Sequence, residues 1–413
     1  LIAKHTFNEL PQQISYLPAV FEPITYFSNN QFSSYRKGNF IFQANLLGSR
    51  SESKYVLTAG TEIRNIKFTS DLTGQLDNNI VSVNGFQNKF DYKQSSLYLN
   101  GNYRYQYKKF RFTPAIKLSA LHQNLANNIS NLSSDTNSIL FEPSLSIAYK
   151  INNKSGFFLS SGYNQSAFTE DYFVNNPIFI STRIIKENKF NFHIQKSKTI
   201  NLFYLLNNLY KQFQLNIGAS FAVSEGNYFS NIFIQQTNTR LLYFFLPEDS
   251  KTLSLNFMIE KYLPFLQGTM RLRSDYSRNL YKNILNNSSL RTNISKGLTN
   301  ELFLRTAFDG SINFENTIQH RFIISEANGG FQFTNQSFHN NFQLIIKSSN
   351  RLFILFSTDY YLPNISLRTQ DLYFLDIDLN LQTKNKLYDF RFKARNITNN
   401  KYFKKFDTND YST

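Results

Sequence analysis

The sequence contains no cysteine, no tryptophan, nine prolines and no long apolar run. Without cysteine, the chain cannot form disulfides, thiolate metal sites or a cysteine nucleophile. The longest apolar run, Leu241–Leu246, is far shorter than the roughly 20 residues that a membrane-spanning helix needs. The mean hydropathy of -0.38 agrees with this, so the sequence excludes a helical membrane protein.

Aromatic residues are instead abundant, with 43 Phe and 25 Tyr among 413 residues. The net charge of +16 comes from scattered Lys and Arg residues without a dense basic block, which argues against nucleic-acid binding. The five histidines lack the close spacing of metal ligands, and no cofactor is predicted. The apolar content must therefore be spread along the sequence in some regular way.

Strict alternation of apolar and polar residues provides this spread. One example places apolar side chains and one glycine at every second position, namely Leu97, Leu99, Gly101, Tyr103, Tyr105 and Tyr107. A period of two indicates β-strands. The alternating runs cover about 10 to 14 residues, which suits tilted strands that cross a bilayer. We therefore predict an all-β fold, a large antiparallel transmembrane β-barrel.

The connections between these runs alternate between short turns and long polar loops, which is the layout of an outer-membrane barrel. About 16 strands are predicted between residues 38 and 396. Near the middle of the chain we expect separate strands at 288–297 and 301–312, joined by a short turn at Leu298–Asn300. The segments 225–249 and 313–337 are predicted as strand extensions beyond the membrane.

The run from Tyr388 to Arg395 shows which faces meet lipid. Its aromatic positions alternate with four charged positions, and an Arg or Lys facing lipid costs about 2–4 kcal/mol near the bilayer centre. The charged positions must therefore face a wet interior. The candidate interior charges are Arg271, Arg273, Asp275, Asp376, Asp378, Asp389, Arg391, Lys393 and Arg395. Their positive members could favour an anionic solute or simply provide interior polarity.

A resemblance to a known family lies in Ala394-Arg-Asn-Ile-Thr-Asn-Asn-Lys-Tyr-Phe403. This stretch resembles the Asn-Leu-x-Asn-x-x-Tyr segment that ends the next-to-last strand of TonB-dependent outer-membrane receptors. The run Phe141–Tyr149 and the Phe-, Asn- and Lys-rich strands are similar to the receptors of Bacteroidota-type bacteria, in the outer membrane of Gram-negative cells.

The resemblance implies a 22-stranded barrel, an N-terminal plug inside it, and energy supplied through the TonB complex. We expect residues 1–37 to be an outer loop or partial strand, residues 38–396 to hold the barrel strands, and residues 397–413 to form an outer loop before a missing final strand. The plug is also expected to be missing from this chain.

The resemblance implies uptake of a scarce nutrient such as an iron chelate, glycan, peptide or vitamin. Two alternatives are a passive porin and a structural barrel that docks a surface lipoprotein or secretion machinery. The loop Ser166–Ile180 has enough aromatic residues to dock a partner or to fold over the barrel mouth. No catalytic residues are predicted, and His193 is expected to face the interior by alternation.

Overall fold

The computed structural model describes residues 2–16, 28–76, 79–129, 132–167, 172–181, 183–189, 191–235, 238–328, 331–349, 351–365, 371–385 and 387–400. These residues form 22 β-strands connected by turns, with short 3₁₀ turns at Leu209–Lys211 and Pro264–Leu266. The predicted all-β fold class is confirmed.

Most of the strands form one wall. The wall strands are β1 (Ile2–Tyr16), β2 (Ser28–Arg50), β3 (Ser53–Leu76), β5 (Asn88–Tyr107), β6 (Phe110–Asn127), β7 (Leu132–Lys150), β8 (Ser155–Ala167), β11 (Ile194–Asn208), β12 (Phe213–Glu225), β15 (Ser250–Leu263), β16 (Gly268–Leu285), β17 (Arg291–Thr306), β18 (Ile312–Ala327), β19 (Phe331–Ser349), β20 (Leu352–Leu362), β21 (Leu372–Gln382) and β22 (Asp389–Ala394). Five strands lie in the long loops: β4 (Asn79–Ser82), β9 (Ile178–Ser181), β10 (Ile184–Lys189), β13 (Asn227–Ile234) and β14 (Thr239–Leu246).

Each wall strand pairs antiparallel with the next wall strand along the chain, from β1–β2 through to β21–β22. Tight turns connect the strands at one end and long loops connect them at the other. The result is the up-and-down wall of a large antiparallel β-barrel.

The register divides the side chains of the wall between two faces. Residues directly opposite each other in neighbouring strands share a face. Because the register is continuous, the same two faces can be followed from strand to strand around the wall. In β22, Phe390 lies opposite Leu381, whereas Arg391 lies opposite Asn380. We call the apolar face outward and the polar face inward.

The outward face exposes a broad belt of large apolar side chains. Exposed members on six of the strands include Leu46, Leu97, Ile139, Leu145, Ile200, Ile217 and Phe392. A soluble protein rarely exposes so large an apolar area, whereas a membrane barrel needs it. Tyr210 and Phe265 on the short 3₁₀ turns are also exposed, at the level where such barrels carry an aromatic girdle.

One predicted turn is wrong. Residues 298–300 lie inside the continuous strand β17, where Leu298 pairs with Tyr276 and Phe322. The predicted strands 288–297 and 301–312 therefore merge. The segment 313–337, expected to extend beyond the membrane, instead contains most of wall strand β18. Asn300 occupies an outward position in β17 and interrupts the apolar alternation of that face. This interruption is the reason that the sequence pattern predicted a turn here.

The two ends of the chain also differ in detail from the expectation. The segment 1–37, predicted as an outer loop or partial strand, contains all of β1 and the first part of β2. At the other end, β22 stops at Ala394, before the predicted end at residue 396. Residues 401–413 of the predicted final loop lie outside the described residues.

The Asn-Ile-Thr-Asn-Asn stretch forms a tight turn after β22. Asn396 adopts a left-handed φ of 49°, which asparagine tolerates better than most residues. Its backbone N–H donates to the Asp376 carboxylate at 2.8 Å, and its side-chain amide donates to the Asn400 carbonyl at 2.9 Å. Thr398 donates to the Tyr373 carbonyl at 2.5 Å. These bonds explain why amide and hydroxyl side chains are needed here.

The two-face assignment predicts unequal losses of stability for neighbouring substitutions on β7. Leu145→Arg places a charge against hydrocarbon, so the free energy of unfolding in lipid should fall by about 2–4 kcal/mol. Ser146→Arg faces the interior and should change it by less than about 1 kcal/mol. Denaturant titration of the full chain in lipid vesicles measures both values, and equal losses would contradict the assignment.

Candidate functional site

The first group of predicted interior charges forms ion pairs across three wall strands. The Arg271 guanidinium lies 3.8 Å from the Glu260 carboxylate and 3.5 Å from the Glu301 carboxylate. Arg273 pairs with Asp275 at 2.6 Å. The glutamates belong to strands on either side of β16, so this arginine ties three strands together on the inward face.

The second group forms a similar network at β21 and β22. Arg395 contacts Asp376 at 3.4 Å and Asp378 at 2.9 Å. Arg391 pairs with Asp389 at 3.1 Å along β22. These contacts join the charged side chains of both strands on the inward face.

Lys393 completes the predicted set and lies directly opposite Asp378 in the strand register. The structure thus places all nine predicted residues on the inward face, and each positive residue lies beside a carboxylate or opposite one. Paired charges make the interior polar while offsetting the positive field of the arginines. Direct contact of these residues with a solute stays a prediction.

The outer end of the barrel contains a feature that sequence reasoning located only loosely. Residues 172–181, here called the mouth segment, follow β8 and pack against the inward face of β2 to β6. The Gln31 side-chain amide anchors this segment, donating to the Phe179 carbonyl at 2.9 Å and accepting from its N–H at 2.8 Å. Both bonds are buried. A single glutamine therefore replaces a pair of strand hydrogen bonds.

Asparagines anchor the rest of the mouth segment. The Asn88 side chain accepts from the Asn176 N–H at 3.1 Å and donates to its carbonyl at 3.3 Å. The Asn176 amide donates to the Gln87 carbonyl at 2.6 Å. Asn188 on β10 donates to the Val174 carbonyl at 2.8 Å. Four side-chain amides thus fix the backbone of a loop that has few strand bonds of its own.

An apolar cluster lies beneath the mouth segment. The Phe173 ring lies 4.2 Å from the Tyr92 ring and 6.1 Å from the Phe90 ring, measured between centroids. Ile66 and Phe68 on β3 pack in the same buried cluster. Phe179 is 1% exposed and packs in a second cluster nearby. The interpretation that this loop folds over the barrel mouth is confirmed for the described residues.

A second outer element is a small sheet built from two long loops. Its strands are ordered β9, β10, β14 and β13, and β13 pairs parallel with the outer end of β16. We call it the outer sheet. It carries an aromatic cluster in which the Tyr172 and Tyr228 rings stack at 4.2 Å, and the Lys186 ammonium lies 5.6 Å above Tyr172 and 5.4 Å above Tyr243.

Burial changes the acid–base behaviour of this cluster. It raises the pKa of the Tyr228 phenol, whose hydroxyl donates to the Asn191 carbonyl at 2.7 Å. Burial likewise raises the pKa of Tyr243. Both phenols therefore stay neutral near pH 7, and the lysine contacts the faces of uncharged rings, as cation–π contacts require.

His193 lies beside the outer sheet, and its predicted position facing the interior stays a prediction. It precedes β11, and its ring stacks on Phe245 of β14 at a centroid distance of 3.6 Å. Partial burial lowers the pKa of this histidine. The alternation of β11 does not extend to residue 193, because the strand begins at Ile194.

These elements cover the outer end of the barrel. The amides hold the backbone of the mouth segment, Phe173 and Phe179 are buried, and the Tyr172 and Tyr243 rings stay half-buried. In the part of the chain that the structure describes, no group of three His, Asp or Glu side chains could hold a metal ion. Sequence reasoning missed Gln31, Asn88 and Asn188. Gln31 lies inside the long strand β2 and Asn88 begins the long strand β5, where an inward polar residue is ordinary. Only their contacts with the mouth segment give them a specific role.

Comparison with solved structures shows the same fold. The structure titled copper transporter OprC matches with a TM-score of 0.57 at 9% identity, over 86% of this chain and 57% of that one. The structure of the FpvAI–pyocin S2 complex matches with a TM-score of 0.53 at 10% identity, over 90% of this chain and 50% of that one. Both are TonB-dependent outer-membrane receptors.

The fold is that of an outer-membrane β-barrel. The exposed apolar belt of the wall supplies the surface that such a membrane requires. The barrel spans a little over half the length of the first protein it matches and half the length of the second. No protein-family model and no curated protein matches the sequence. No helix within the described ranges is long and apolar enough to cross a membrane.

The Gln31→Ala substitution should release the mouth segment. It leaves the N–H and carbonyl of Phe179 buried without their partner, which costs about 1–3 kcal/mol for each unsatisfied group. Hydrogen exchange by mass spectrometry should show loss of protection at residues 172–181. Gln319→Ala on the inward face of β18 is the control, and equal loss in both variants would contradict the anchoring role.

Acid should loosen the contact between His193 and Phe245. The folded state favours the neutral histidine ring. Its contribution to the free energy of unfolding is therefore complete above the pKa of about 6.5 that the ring has in the unfolded chain. That contribution is lost as the pH falls through the lowered pKa of the folded state. Hydrogen exchange around residues 191–194 should therefore rise between pH 7.5 and pH 5, after correction for intrinsic rates. In His193→Phe this rise should be absent; its persistence would show that another group is responsible.

Proposed function

We propose that this barrel belongs to a TonB-dependent transporter of Bacteroidota type, in which a folded plug occupies the interior and a scarce nutrient is taken up. The fold likeness to two receptors supports outer-membrane transport, and the Asn396–Asn400 turn carries the sequence resemblance. In this proposal, the TonB complex acts on the plug.

The observation that carries the proposal is a set of apolar side chains on the inward face. These side chains lie within about five residues of the short turns on four different strands and are here called the inner rim: Leu47, Phe158, Phe203, Leu205 and Phe353. Leu47 is 71% exposed even though it points into the interior. In a water-filled interior these apolar surfaces would stay in contact with water, whereas a packed protein domain would bury them.

The inner rim argues against the passive porin. A porin needs a polar interior along its whole length because its pore stays filled with water. Here the inner rim exposes large apolar side chains toward the short turns, alongside the ion pairs of Arg271 and Arg391 at the same level. This combination of apolar and charged side chains fits contact with a folded plug near the short turns.

The mouth segment argues against a barrel that serves only to dock a partner. Its Phe173 and Phe179 rings are buried against the wall, so they are not available to another protein. We propose that the mouth instead binds the nutrient before transport. Iron chelates, glycans, peptides and vitamins all combine polar groups with faces that half-buried rings such as Tyr172 and Tyr243 can contact. A surface lipoprotein would then assist at the outer sheet.

Photo-crosslinking at matched neighbours tests the occupied interior. The native full-length protein, in its own outer membrane, would carry a photoreactive amino acid at Phe203 or Leu47. The matched controls are Leu202 and Leu46, which are exposed on the outward face. We expect peptide crosslinks to a plug sequence from the inward positions and lipid adducts from the controls. Lipid adducts or no adducts at all four positions would overturn the proposal.

Electrical recording separates the transporter from the porin. The purified native protein in a planar bilayer should show no steady current, because a plug blocks the interior. A large, steady open current would support the porin. In cells, dissipating the proton gradient of the inner membrane should abolish nutrient accumulation while leaving surface binding unchanged.

A further inference from the structure

Three basic side chains lie side by side on the outward face of neighbouring wall strands. Arg278 on β16 lies directly opposite Lys296 on β17. Arg278 also lies opposite Leu253 of β15, so Lys251, two residues along β15, is its diagonal neighbour. We call Lys251, Arg278 and Lys296 the cation row. Like charges directly opposite each other in a sheet repel, so the row is unfavourable unless an anion lies against it.

The cation row lies where the apolar belt ends. Arg278 is ten residues from Gly268, and Lys296 is ten residues from Thr306, the short-turn ends of their strands. With a rise of about 3.3 Å per residue and a tilt near 40°, this distance corresponds to about 25 Å along the membrane normal. The apolar band of such barrels is also about 25 Å tall. Since the long loops of these barrels lie on the cell exterior, the row faces the headgroups of the outer leaflet.

The charges of the cation row are only partly offset by the protein. Lys296 pairs with Glu326 of β18 at 3.1 Å. Lys251 and Arg278 are exposed, and neither forms an ion pair or a side-chain hydrogen bond in the part of the chain that the structure describes. The inward residues at the same level are uncharged, namely Thr252, Ser277, Asn279 and Ser295. With its one paired carboxylate, the row therefore keeps two uncompensated positive charges.

A groove of about 600 Å³ lies on the same face, on the membrane side of the cation row. Ala219 of β12 lies in register between Leu202 of β11 and Leu255 of β15. Because the alanine side chain is shorter than both leucines, it leaves a depression between them. The other residues that line the outward side of the groove include Tyr204, Ile217, Phe257 and Tyr276. The lining is mainly apolar, which suits a hydrocarbon chain.

Tyr276 joins the groove to the cation row. It lines the groove, and along the outward face of β16 it is the next residue before Arg278. Leu255 likewise lines the groove on the strand that carries Lys251. Tyrosine is favoured at membrane interfaces, because its ring is apolar and its hydroxyl is polar. Positive charge above an apolar groove, with a phenol between them, fits a single amphipathic molecule.

The charge of the row identifies the polar end of this molecule as a phosphate monoester. Such a group carries about −1.5 to −2 charges near pH 7, which offsets the two uncompensated positive charges. A phosphodiester or a carboxylate would offset only one of them. Free phosphate would leave the groove unfilled. A second copy of the barrel is also unsuitable, because in a two-fold pair its own cation row would face the first at equal depth.

We propose that this face binds an outer-leaflet lipid that carries a phosphate monoester, with the phosphate against the cation row and an acyl chain in the groove. The bound phosphate relieves the repulsion between Arg278 and its two basic neighbours, and the acyl chain fills the depression at Ala219. The site lies on the outside of the barrel, so it does not depend on which solute is transported or on the presence of a plug.

Native mass spectrometry of the full-length protein tests the headgroup. The protein would be released in mild detergent from phosphatidylcholine vesicles with an equal minor fraction of phosphatidic acid, a monoester, or phosphatidylglycerol, a diester. Phosphatidic acid should be retained about fivefold more, because it carries the second negative charge. The Lys251→Gln, Arg278→Gln double variant should lose this preference. Lys198→Gln on β11 is the control, since its ammonium already pairs with Glu225. Equal retention of both lipids by the unchanged protein, or an unchanged preference in the double variant, would overturn the proposal.

A second variant tests the groove without changing any charge. Ala219→Leu fills the depression and suits lipid, so it should fold but retain markedly less phosphatidic acid than the unchanged protein. The control is Ala44→Leu, on the outward face of β2, which like Ala219 is six residues from the short-turn end of its strand. Excess inorganic phosphate should not release the lipid from the unchanged protein. Release by phosphate, full retention by the Ala219→Leu variant, or a second protein copy bound in place of the lipid would each contradict the proposal.

Discussion

Every residue of the wall is constrained by the need to complete backbone hydrogen bonds where no water is available. Strand pairing between neighbours meets this need, and it forces side chains to alternate between lipid and interior. The antiparallel register continues from β1 to β22, so the backbone of each wall strand is hydrogen-bonded to its neighbours. Loop architecture, interior charges and outward surface all depend on that register.

The inner rim departs from the alternation of polar and apolar faces. Its apolar residues face the interior, where the alternation otherwise places many polar side chains. These apolar side chains are mismatched with a water-filled interior. A mismatch of this kind is relieved when another protein covers the residue. The inner rim therefore points to a domain inside the barrel.

Much of the wall could be predicted from the sequence because period-two alternation is strong in strands such as β5 and β21. The inward position of the ion-paired arginines followed from the cost of placing charge in lipid. The strand β17 was divided in error because Asn300 breaks its outward pattern, and the residue that pairs with it, Ser274, lies 26 residues away on the neighbouring strand. Gln31 was missed since its role depends on Phe179, which is 148 residues away.

The long separation between Gln31 and Phe179 has a consequence for how the barrel assembles. Contacts between residues far apart in sequence form late, because the chain between them must first be ordered. Strands β2 to β8 must already curve together before the loop after β8 can reach its glutamine. The entrance is thus finished only after the wall that surrounds it, so a partly assembled barrel would expose an uncovered opening to the cell exterior.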